Sequence, residues 1–231
     1  GQLSTVVQTS YDDKFLYIGF TCFDSTEKHI VRSLKRDQGI RESDGLAIVL
    51  DPINEKSNGF YFSLSPYNTQ SEALISVGTD DLPYSWDNKW YSETKVYKDR
   101  WVGEIAIPFS ILRYDASKSK WGINFIRSDR KSNEFYTWTH MPLQFRGFDI
   151  GYLGQLVWDA PPPKAGKNFS INPYITSGVS KNNESNEATK ATFNAGFDAK
   201  VAVTPSMNLD LTVNPDFSQV DVDRQVTNLT R

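Results

Sequence analysis

Two tryptophans stand in a polar segment of this sequence, where exposed rings could take part in ligand binding. Pro83–Tyr91 reads PYSWDNKWY and carries Trp86 and Trp90 from a predicted loop into a predicted strand. A flat ring can stack on the C–H face of a sugar, and such contacts add roughly 0.5–1.5 kcal/mol beyond the burial of area. Two rings with a few hydrogen bonds would hold a ligand at millimolar to micromolar affinity. The alternative is that both tryptophans fill a hydrophobic core.

A third tryptophan lies on a strand face that mixes aromatic and polar side chains. In the segment EFYTW, alternate side chains point to the same side of a strand, so Glu134 and Tyr136 share a face with Trp138. Arg127 precedes this segment, and together with Glu134 it could orient sugar hydroxyls through charge-assisted hydrogen bonds. A structural ion pair at the end of a strand is the alternative for Arg127 and Glu134.

The composition excludes several other kinds of site. The chain of 231 residues has 25 Lys and Arg against 28 Asp and Glu, and this net charge of −3 does not favour nucleic acid as a partner. The sequence has one cysteine, Cys22, and two histidines, His29 and His140, which excludes a disulfide framework and any multi-cysteine zinc site. No apolar run approaches the roughly 18–20 residues of a membrane-spanning helix.

Catalysis and metal binding have little support in the sequence. A glycosidase needs two carboxylates about 5–9.5 Å apart on either side of the scissile bond, and Glu104, which has apolar neighbours, has no obvious second carboxylate. Neither a nucleophile elbow nor a phosphate-binding loop occurs. We therefore expect a protein that is not an enzyme and needs no cofactor, and the alternative is a glycoside-processing enzyme that acts through Glu104 or Glu134. Calcium stays open as an alternative, because five aspartates could supply oxygen ligands without EF-hand spacing: Asp44, Asp51, Asp80, Asp81 and Asp87.

Alternation with a period of two residues dominates the first two thirds of the chain and predicts an all-β sandwich or barrel. Lys14–Asp24 is apolar at nearly every position, which predicts a strand buried on both faces, and the apolar neighbours of Trp101 and Trp121 predict core positions. Short helices are predicted at Ser25–Arg36 and Phe109–Leu112. The further predicted strands are Gly45–Asp51, Gly59–Ser65, Glu72–Val77, Lys89–Tyr97, Trp101–Ile107, Lys120–Arg127, Glu134–His140 and Leu153–Trp158.

A proline-rich segment marks the predicted domain boundary. Residues 160–167 read APPPKAGK, a composition that favours an extended spacer. We therefore assign residues 1–159 to the sandwich, residues 160–167 to a linker and residues 168–231 to a second domain.

The second domain alternates in a different way. Three segments, Phe169–Ser180, Ala191–Val203 and Met207–Asn214, each place apolar side chains on one face and polar side chains on the other. Strands of this length with two such faces are typical of outer-membrane barrels, although strands of a soluble sandwich can alternate as cleanly. Three strands cannot close a barrel, so we expect further strands beyond Arg231.

Several motifs now resemble known families. Residues 43–51 (SDGLAIVLD), 86–90 (WDNKW) and 101–109 (WVGEIAIPF), together with Phe60–Gln70 and Trp121–Trp138, resemble the family 9 carbohydrate-binding module. In one branch of that family, the module precedes an outer-membrane β-barrel catalogued as domain of unknown function 5916. The tail is similar to the opening of this barrel in three segments: Gly196–Lys200, Asn214–Val220 and Asn228–Arg231.

The resemblance implies a β-sandwich of jelly-roll or immunoglobulin-like type that binds oligo- or polysaccharide without catalysis, followed by the first strands of a barrel. It implies the outer membrane of a Gram-negative bacterium, at the cell surface or the periplasmic face, and an accessory role in carbohydrate uptake or breakdown. The family's opening D-G-x-x-D-E-x-W is missing from this chain, so the first strand of the sandwich is expected to be missing. The six candidate ligand-binding residues are Trp86, Trp90, Trp138, Asn68, Arg127 and Glu134. The alternative is a protein-binding or structural domain of an outer-membrane assembly, with no sugar ligand.

Overall fold

The structure is a computed structural model that describes residues 4–26, 28–78, 81–160, 162–163, 169–180, 190–204 and 207–215. The chain divides into two compact units, Gly1–Gly166 and Lys167–Arg231. In the described residues the regular structure is β-strand, apart from two short 3₁₀ turns at Phe109–Ile111 and Ile150–Tyr152. None of the described residues forms a helix that is long and apolar enough to cross a membrane.

The described part of the first unit contains ten strands. They are β1 (Thr5–Tyr11), β2 (Phe15–Phe23), β3 (Gly45–Asp51), β4 (Asn58–Leu64), β5 (Gln70–Ser76), β6 (Tyr91–Val96), β7 (Arg100–Pro108), β8 (Lys120–Asp129), β9 (Glu134–Thr137) and β10 (Gly154–Val157). Sheet A has the order β1-β2-β7-β6, and sheet B has the order β10-β8-β3-β4-β5 with β9 also paired to β8. All these pairs are antiparallel. The strands lie where the alternation predicts them, except β1, which was not among the predicted strands.

Sheet B is covered on both faces, which explains why its central strand is apolar at nearly every position. Leu46, Ile48 and Leu50 of β3 face the main core, where they pack with β2, β7 and all three of Trp90, Trp101 and Trp121. Ala47 and Val49 of the same strand point the other way, into a second core that loop residues close. The predicted core positions of Trp101 and Trp121 are confirmed, at 2% and 0% exposure.

The prediction that β2 is buried on both faces is wrong. Leu16, Ile18 and Phe20 are buried, whereas Tyr17 and Phe23 on the other face are exposed. Sheet A covers the core with one face only, and its outer face meets solvent. Aromatic side chains on this outer face make the sequence of β2 apolar at nearly every position, and for that reason the sequence predicted burial on both faces.

The predicted helix at Ser25–Arg36 is also wrong, because the described residues of this segment form a loop that is hydrogen-bonded to the residues before β3. The backbone N–H of Ile30 donates to the Asp44 carboxylate at 2.7 Å, and the N–H of Asp44 donates to the Ile30 carbonyl at 2.7 Å. The N–H of Arg32 donates to the Ser43 hydroxyl at 3.2 Å. These long-range partners take the donors that helical hydrogen bonds would need. After Pro108, the chain forms a single 3₁₀ turn, Phe109–Ile111, in place of the predicted short helix.

The described residues of the second unit form three antiparallel strands in the order β11-β12-β13. They are β11 (Phe169–Ser180), β12 (Lys190–Thr204) and β13 (Met207–Val213), so the three predicted strands of the tail are confirmed. Because residues directly across from each other share a face, the register places Phe197 between Pro173 and Val213. The motif residues 216–231 lie outside the described residues, as do most of the predicted linker residues 160–167.

One face of this three-stranded sheet is apolar and exposed within the unit. Its large apolar side chains are between 43% and 76% exposed: Phe169, Ile171, Ile175, Val179, Phe193, Leu209, Leu211 and Val213. The opposite face carries polar residues such as Asn172, Thr176, Asn194 and Asp198. That the strands open a membrane barrel stays a prediction.

Candidate functional site

The two tryptophans of the polar segment lie against the main core. Trp90 is 3% exposed and packs at right angles to Phe62, with ring centroids 5.5 Å apart. Trp86 is half-buried and packs against Phe60 and Phe62, at 5.2 and 5.9 Å. A ring as covered as Trp90 offers no face to a ligand, so Trp90 is a core residue. Trp86 keeps part of its ring in solvent.

Glu72, which the sequence analysis did not select, holds this segment in place. Its side chain is fully buried at the edge of sheet B. It accepts hydrogen bonds from the Trp90 indole N–H at 3.0 Å, the backbone N–H of Asn88 at 3.2 Å and the Arg36 guanidinium. One carboxylate thereby connects β5 to the loops that precede β3 and β6. The sequence signal for a buried role of Glu72 is that this acidic residue stands in a strand whose other side chains are uncharged.

Arg127 connects the two sheets. It is 3% exposed. One guanidinium nitrogen donates to the Ser4 carbonyl and the Thr5 hydroxyl at 3.1 and 3.2 Å, and the other donates to the Phe23 carbonyl at 2.7 Å. Its guanidinium also lies 3.5 Å from the oppositely charged Asp24 carboxylate. Its side-chain donors are engaged inside the protein, which favours the structural role of Arg127 over a contact with a ligand.

A buried group of charges lies beside Arg127. The Lys131 ammonium is 2.7, 3.5 and 3.3 Å from the carboxylates of Asp24, Asp44 and Asp129. Burial by itself raises the pKa of Asp44. The nearby His29 imidazole and the backbone N–H groups that donate to Asp44 outweigh this effect, so the pKa of Asp44 is lowered. The carboxylates are neutralised by protein cations and backbone donors.

Among the described residues, no group of three or more His, Cys, Asp or Glu side chains is arranged to hold a metal ion. The structure therefore shows no preformed calcium site in these residues. Two of the five candidate aspartates accept hydrogen bonds from backbone N–H groups. Asp44 accepts from the N–H of Arg130 at 2.6 Å, and Asp51 accepts from the N–H groups of Asn54 and Lys56, both at 2.7 Å. Asp80 lies outside the described residues.

Asn68 stabilises a turn. It has a φ of 60° between β4 and β5, in the left-handed region that asparagine tolerates better than most residues. Its amide donates to the Ser92 carbonyl at 3.2 Å and accepts from the Ser92 hydroxyl at 2.7 Å. The side chain therefore joins the β4–β5 turn to β6.

Trp138 is the candidate whose ring is open to solvent. It is 60% exposed, yet its ring packs on Phe125, with ring centroids 5.9 Å apart. The backbone of Trp138 is fixed as well, because its backbone N–H donates to the Phe125 carbonyl at 3.0 Å. On the same face of β9, exposed Glu134 accepts a hydrogen bond from the Tyr136 hydroxyl. Of the six candidates, Trp138 and Glu134 lie on the same side of β9 and the residue that follows it, about 13 Å apart along the chain with Tyr136 between them.

A cleft opens between the edge strands of the two sheets, and we call it the side cleft. It has a volume of about 580 Å³ and is lined by Thr9, Ser10, Tyr11, Leu16, Leu156, Val157, Trp158 and Asp159. The Tyr11 hydroxyl donates to Asp159 at 2.7 Å, a bond that raises the pKa of Tyr11 and lowers that of Asp159.

Trp158 forms part of the wall of the side cleft. It is 6% exposed and meets Tyr11 edge to face at 4.8 Å. Its indole N–H is buried and has no hydrogen-bond partner among the described residues. Sequence reasoning missed this cleft, because its walls come from the two ends of the first unit and nothing local in the sequence brings them together.

Comparison with solved structures identifies the architecture of the first unit. A protein from Bacteroides uniformis ATCC 8492, provisionally described as carbohydrate-binding, is similar with a TM-score of 0.55 at 12% identity, over 69% of this chain and 80% of its own. A family 9 carbohydrate-binding module from Caldicellulosiruptor kristjanssonii is similar with a TM-score of 0.52 at 13% identity. The match covers 69% of this chain and 77% of the module solved with cellotriose, or 78% of the module solved with glucose.

These similarities confirm the predicted all-β fold and its likeness to the family 9 sandwich, and at 12–13% identity they show the fold alone. Residues 167–231 match the family model described as a domain of unknown function, DUF5916. The resemblance of the tail to that family is thereby confirmed. No match to the chain is found among curated protein sequences.

Proposed function

We propose that the first unit is a non-catalytic carbohydrate-binding domain and that a sugar stacks on Trp138. The observation that carries the proposal is a tryptophan ring that is 60% exposed and yet fixed by Phe125. A fixed ring loses little conformational freedom when a ligand binds, so more of the stacking energy is available for affinity. Tryptophan is enriched at binding interfaces, because its ring offers a large apolar face together with a polar N–H.

Polar groups beside the ring supply the hydrogen bonds that a sugar needs. The carboxylate of Glu134 and the hydroxyl of Tyr136 lie on the same strand face as Trp138. A carboxylate accepts from sugar hydroxyls, and a phenol both donates and accepts. The fold agrees with this assignment, since solved structures of the same architecture hold glucose and cellotriose.

The non-catalytic part of the proposal rests on where the reactive side chains lie. Glu104 is exposed on the outer face of sheet A, on a different sheet from Trp138. Burial raises the pKa of the Cys22 thiol to about 12, so this cysteine does not form the nucleophilic thiolate at neutral pH.

We further propose that the second unit places the binding domain at the outer membrane, as an accessory to carbohydrate uptake or breakdown. Support comes from the exposed apolar face of β11, β12 and β13, which suits contact with lipid, and from the DUF5916 match. In fractionated cells that produce the full-length protein, we expect it in the outer-membrane fraction. Recovery in the soluble periplasmic fraction would contradict this placement.

A protein ligand is the second candidate for the first unit. Phe135 is 50% exposed on the opposite face of β9, and Leu143 is fully exposed in the following loop. Exposed apolar side chains of this kind favour a protein surface as the partner. In that case, substitution of Phe135 would affect binding and substitution of Trp138 would not.

A glycan array probed with the 231-residue chain tests the proposed function. We expect at least one class of glycan to bind, and Trp138→Ala to lower its retention by about tenfold, since the variant loses both the stacking, roughly 0.5–1.5 kcal/mol, and the apolar area that the ring buries. Trp138→Phe is the matched control and should keep part of the affinity, because it keeps a ring. The absence of any glycan signal from the wild-type chain would refute sugar binding.

A further inference from the structure

A row of four residues crosses the middle of the outer face of sheet A, and we call it the central row. Each residue lies directly opposite the next on the neighbouring strand: Gln8 of β1, Gly19 of β2, Glu104 of β7 and Glu93 of β6. The three side chains of the row are exposed. Because paired strands lie about 4.8 Å apart, the central row is about 14 Å long, the length of about four extended residues.

Two like charges lie side by side in the central row. Glu93 and Glu104 are cross-strand partners, which brings their Cβ atoms to within about 4.5–5.5 Å, and like charges in this position destabilise a sheet. Among the described residues, neither carboxylate takes part in an ion pair or a hydrogen bond. No described group therefore compensates for the repulsion between them.

Gly19 adds a second feature that costs stability, directly beside the first. A Cβ atom built on Gly19 would meet no heavy atom within 4 Å, and Gly19 is not among the residues with positive φ. Neither packing nor backbone conformation therefore requires a glycine here. The missing side chain leaves a dent next to Glu104, and a glycine inside a strand often marks the close approach of a ligand or of another backbone.

The cationic side chains near the ends of this face lie over tyrosine rings and leave the two carboxylates alone. The Lys89 ammonium is 5.5 Å from the ring centroid of Tyr91. The Lys95 ammonium and the Arg100 guanidinium are 5.4 and 4.7 Å from the ring centroid of Tyr97. The centre of the face is therefore negative, and a cation from outside the chain is complementary to it.

Apolar side chains border the central row on both sides. On one side, exposed Tyr17 and Tyr91 both pack on Phe15, with ring centroids 5.8 and 5.9 Å away. On the other side, Val6 and Val102 lie in the next row of the sheet. Tyrosine is enriched in protein–protein interfaces, as is the arginine that such a surface would receive. The border therefore suits a protein partner better than a free cation.

We infer that the outer face of sheet A binds a basic segment of a protein partner, with an arginine side chain in the dent at Gly19 and its guanidinium on Glu104 and Glu93. A guanidinium presents five donors in a planar fork, which fits two neighbouring carboxylates better than an ammonium does. The apolar stem of the arginine packs on the bordering side chains while its head stays polar. The inference is independent of sugar binding, because Trp138 follows a strand of sheet B.

Fluorescence polarisation of labelled peptides with the 231-residue chain in a non-ionic detergent tests the inference. The probe is a nonapeptide of alternating arginine and threonine, and the control peptide carries citrulline, which keeps the shape of arginine without its charge. In about 50 mM salt, where surface charges are weakly screened, we expect the arginine peptide to bind at least about tenfold more tightly. Equal affinity for the two peptides, or no binding of the arginine peptide, would overturn the inference.

Two double variants with the same net charge locate the site. Glu93→Gln with Glu104→Gln should weaken the arginine peptide by about tenfold or more. Glu42→Gln with Glu55→Gln is the matched control, because it removes two carboxylates from exposed loop positions whose surface ion pairs contribute little. Equal weakening by both double variants would reduce the binding to a general attraction between a basic peptide and an acidic chain, and would overturn the inference.

A variant that fills the dent provides a second readout, in which stability and binding change in opposite directions. Threonine favours strands more than glycine does, and its side chain has room at this position, so Gly19→Thr should raise the urea concentration at the unfolding midpoint. The same side chain occupies the dent, so the affinity for the arginine peptide should fall by about tenfold. A Gly19→Thr variant that binds the peptide as tightly as the wild type would overturn the inference.

A cationic polysaccharide is the competing occupant of this face. A hexamer of glucosamine carries amines without guanidinium groups or peptide backbone, and we expect it to bind the chain at least about tenfold more weakly than the arginine peptide. Tighter binding of the glucosamine hexamer, abolished by Glu93→Gln with Glu104→Gln, would make the partner a polysaccharide and overturn the inference.

Discussion

Replacing Arg127 by methionine is expected to lower the free energy of unfolding of the first unit by about 3–5 kcal/mol, because the variant breaks a buried charge network. The guanidinium satisfies the carbonyls of Ser4 and Phe23 and lies 3.5 Å from Asp24. Methionine fills a similar volume and supplies no donor, so these acceptors stay buried without a partner. Since whole domains are typically stable by only about 5–15 kcal/mol, a loss of this size is large.

Urea unfolding followed by tryptophan fluorescence measures the effect. Arg130→Met is the matched control, since Arg130 contributes its backbone N–H to Asp44, and its substitution should change stability by no more than about 0.5 kcal/mol. A change below about 1 kcal/mol for Arg127→Met, combined with loss of sugar binding, would instead make Arg127 a ligand-binding residue.

The second large effect is expected at Glu72, whose replacement by alanine should cost about 2–4 kcal/mol of the free energy of unfolding, because it leaves buried donors without an acceptor. The variant leaves the indole N–H of buried Trp90 and the backbone N–H of Asn88 without their acceptor, and of the two charge partners of Arg36 it removes the buried one and keeps Asp87. Glu72→Gln should cost less, because its amide oxygen can still accept the hydrogen bonds from Asn88 and Arg36.

Denaturant unfolding of three variants separates the contribution of Glu72 from a general effect of losing a carboxylate. Glu104→Ala, on the exposed outer face of sheet A, should lie within about 0.5 kcal/mol of the wild type. Equal stabilities for Glu72→Ala and Glu104→Ala would show that the Glu72 network does not hold the loops in place.

The strands could be predicted because alternation reports directly which side chains share a face. Gly45–Asp51 is predicted and observed with the same ends, and the three strands of the tail follow their alternation closely. Alternation does not report what covers a face. For that reason Lys14–Asp24 was expected to be buried on both sides, although sheet A has a solvated outer face.

The candidate site could be predicted only in part for a related reason. Trp90 and Trp138 both stand among polar neighbours in the sequence. The Trp90 indole is nevertheless buried, and its N–H donates to the buried Glu72 carboxylate. Trp138 stays outside, since Gly154 offers a flat surface on which its ring rests. Glu72 and Gly154 lie far in the sequence from the tryptophans that they contact, so no local pattern could predict these contacts.

Arg127 shows the same limit in a charged residue. A guanidinium near the end of a strand is compatible with both a ligand contact and a structural role. The choice is made by the carbonyls of Ser4 and Phe23, more than 100 positions earlier in the chain.

Titration calorimetry of the wild-type chain and Trp138→Ala, against the glycan that binds most strongly on the array, tests the central claim most directly. We expect the wild-type chain to bind with millimolar to micromolar affinity, and Trp138→Ala to bind at least about tenfold more weakly at an unchanged unfolding temperature. Unchanged affinity in Trp138→Ala would contradict the assignment of this ring as the sugar platform, and no heat from any glycan would contradict carbohydrate binding altogether.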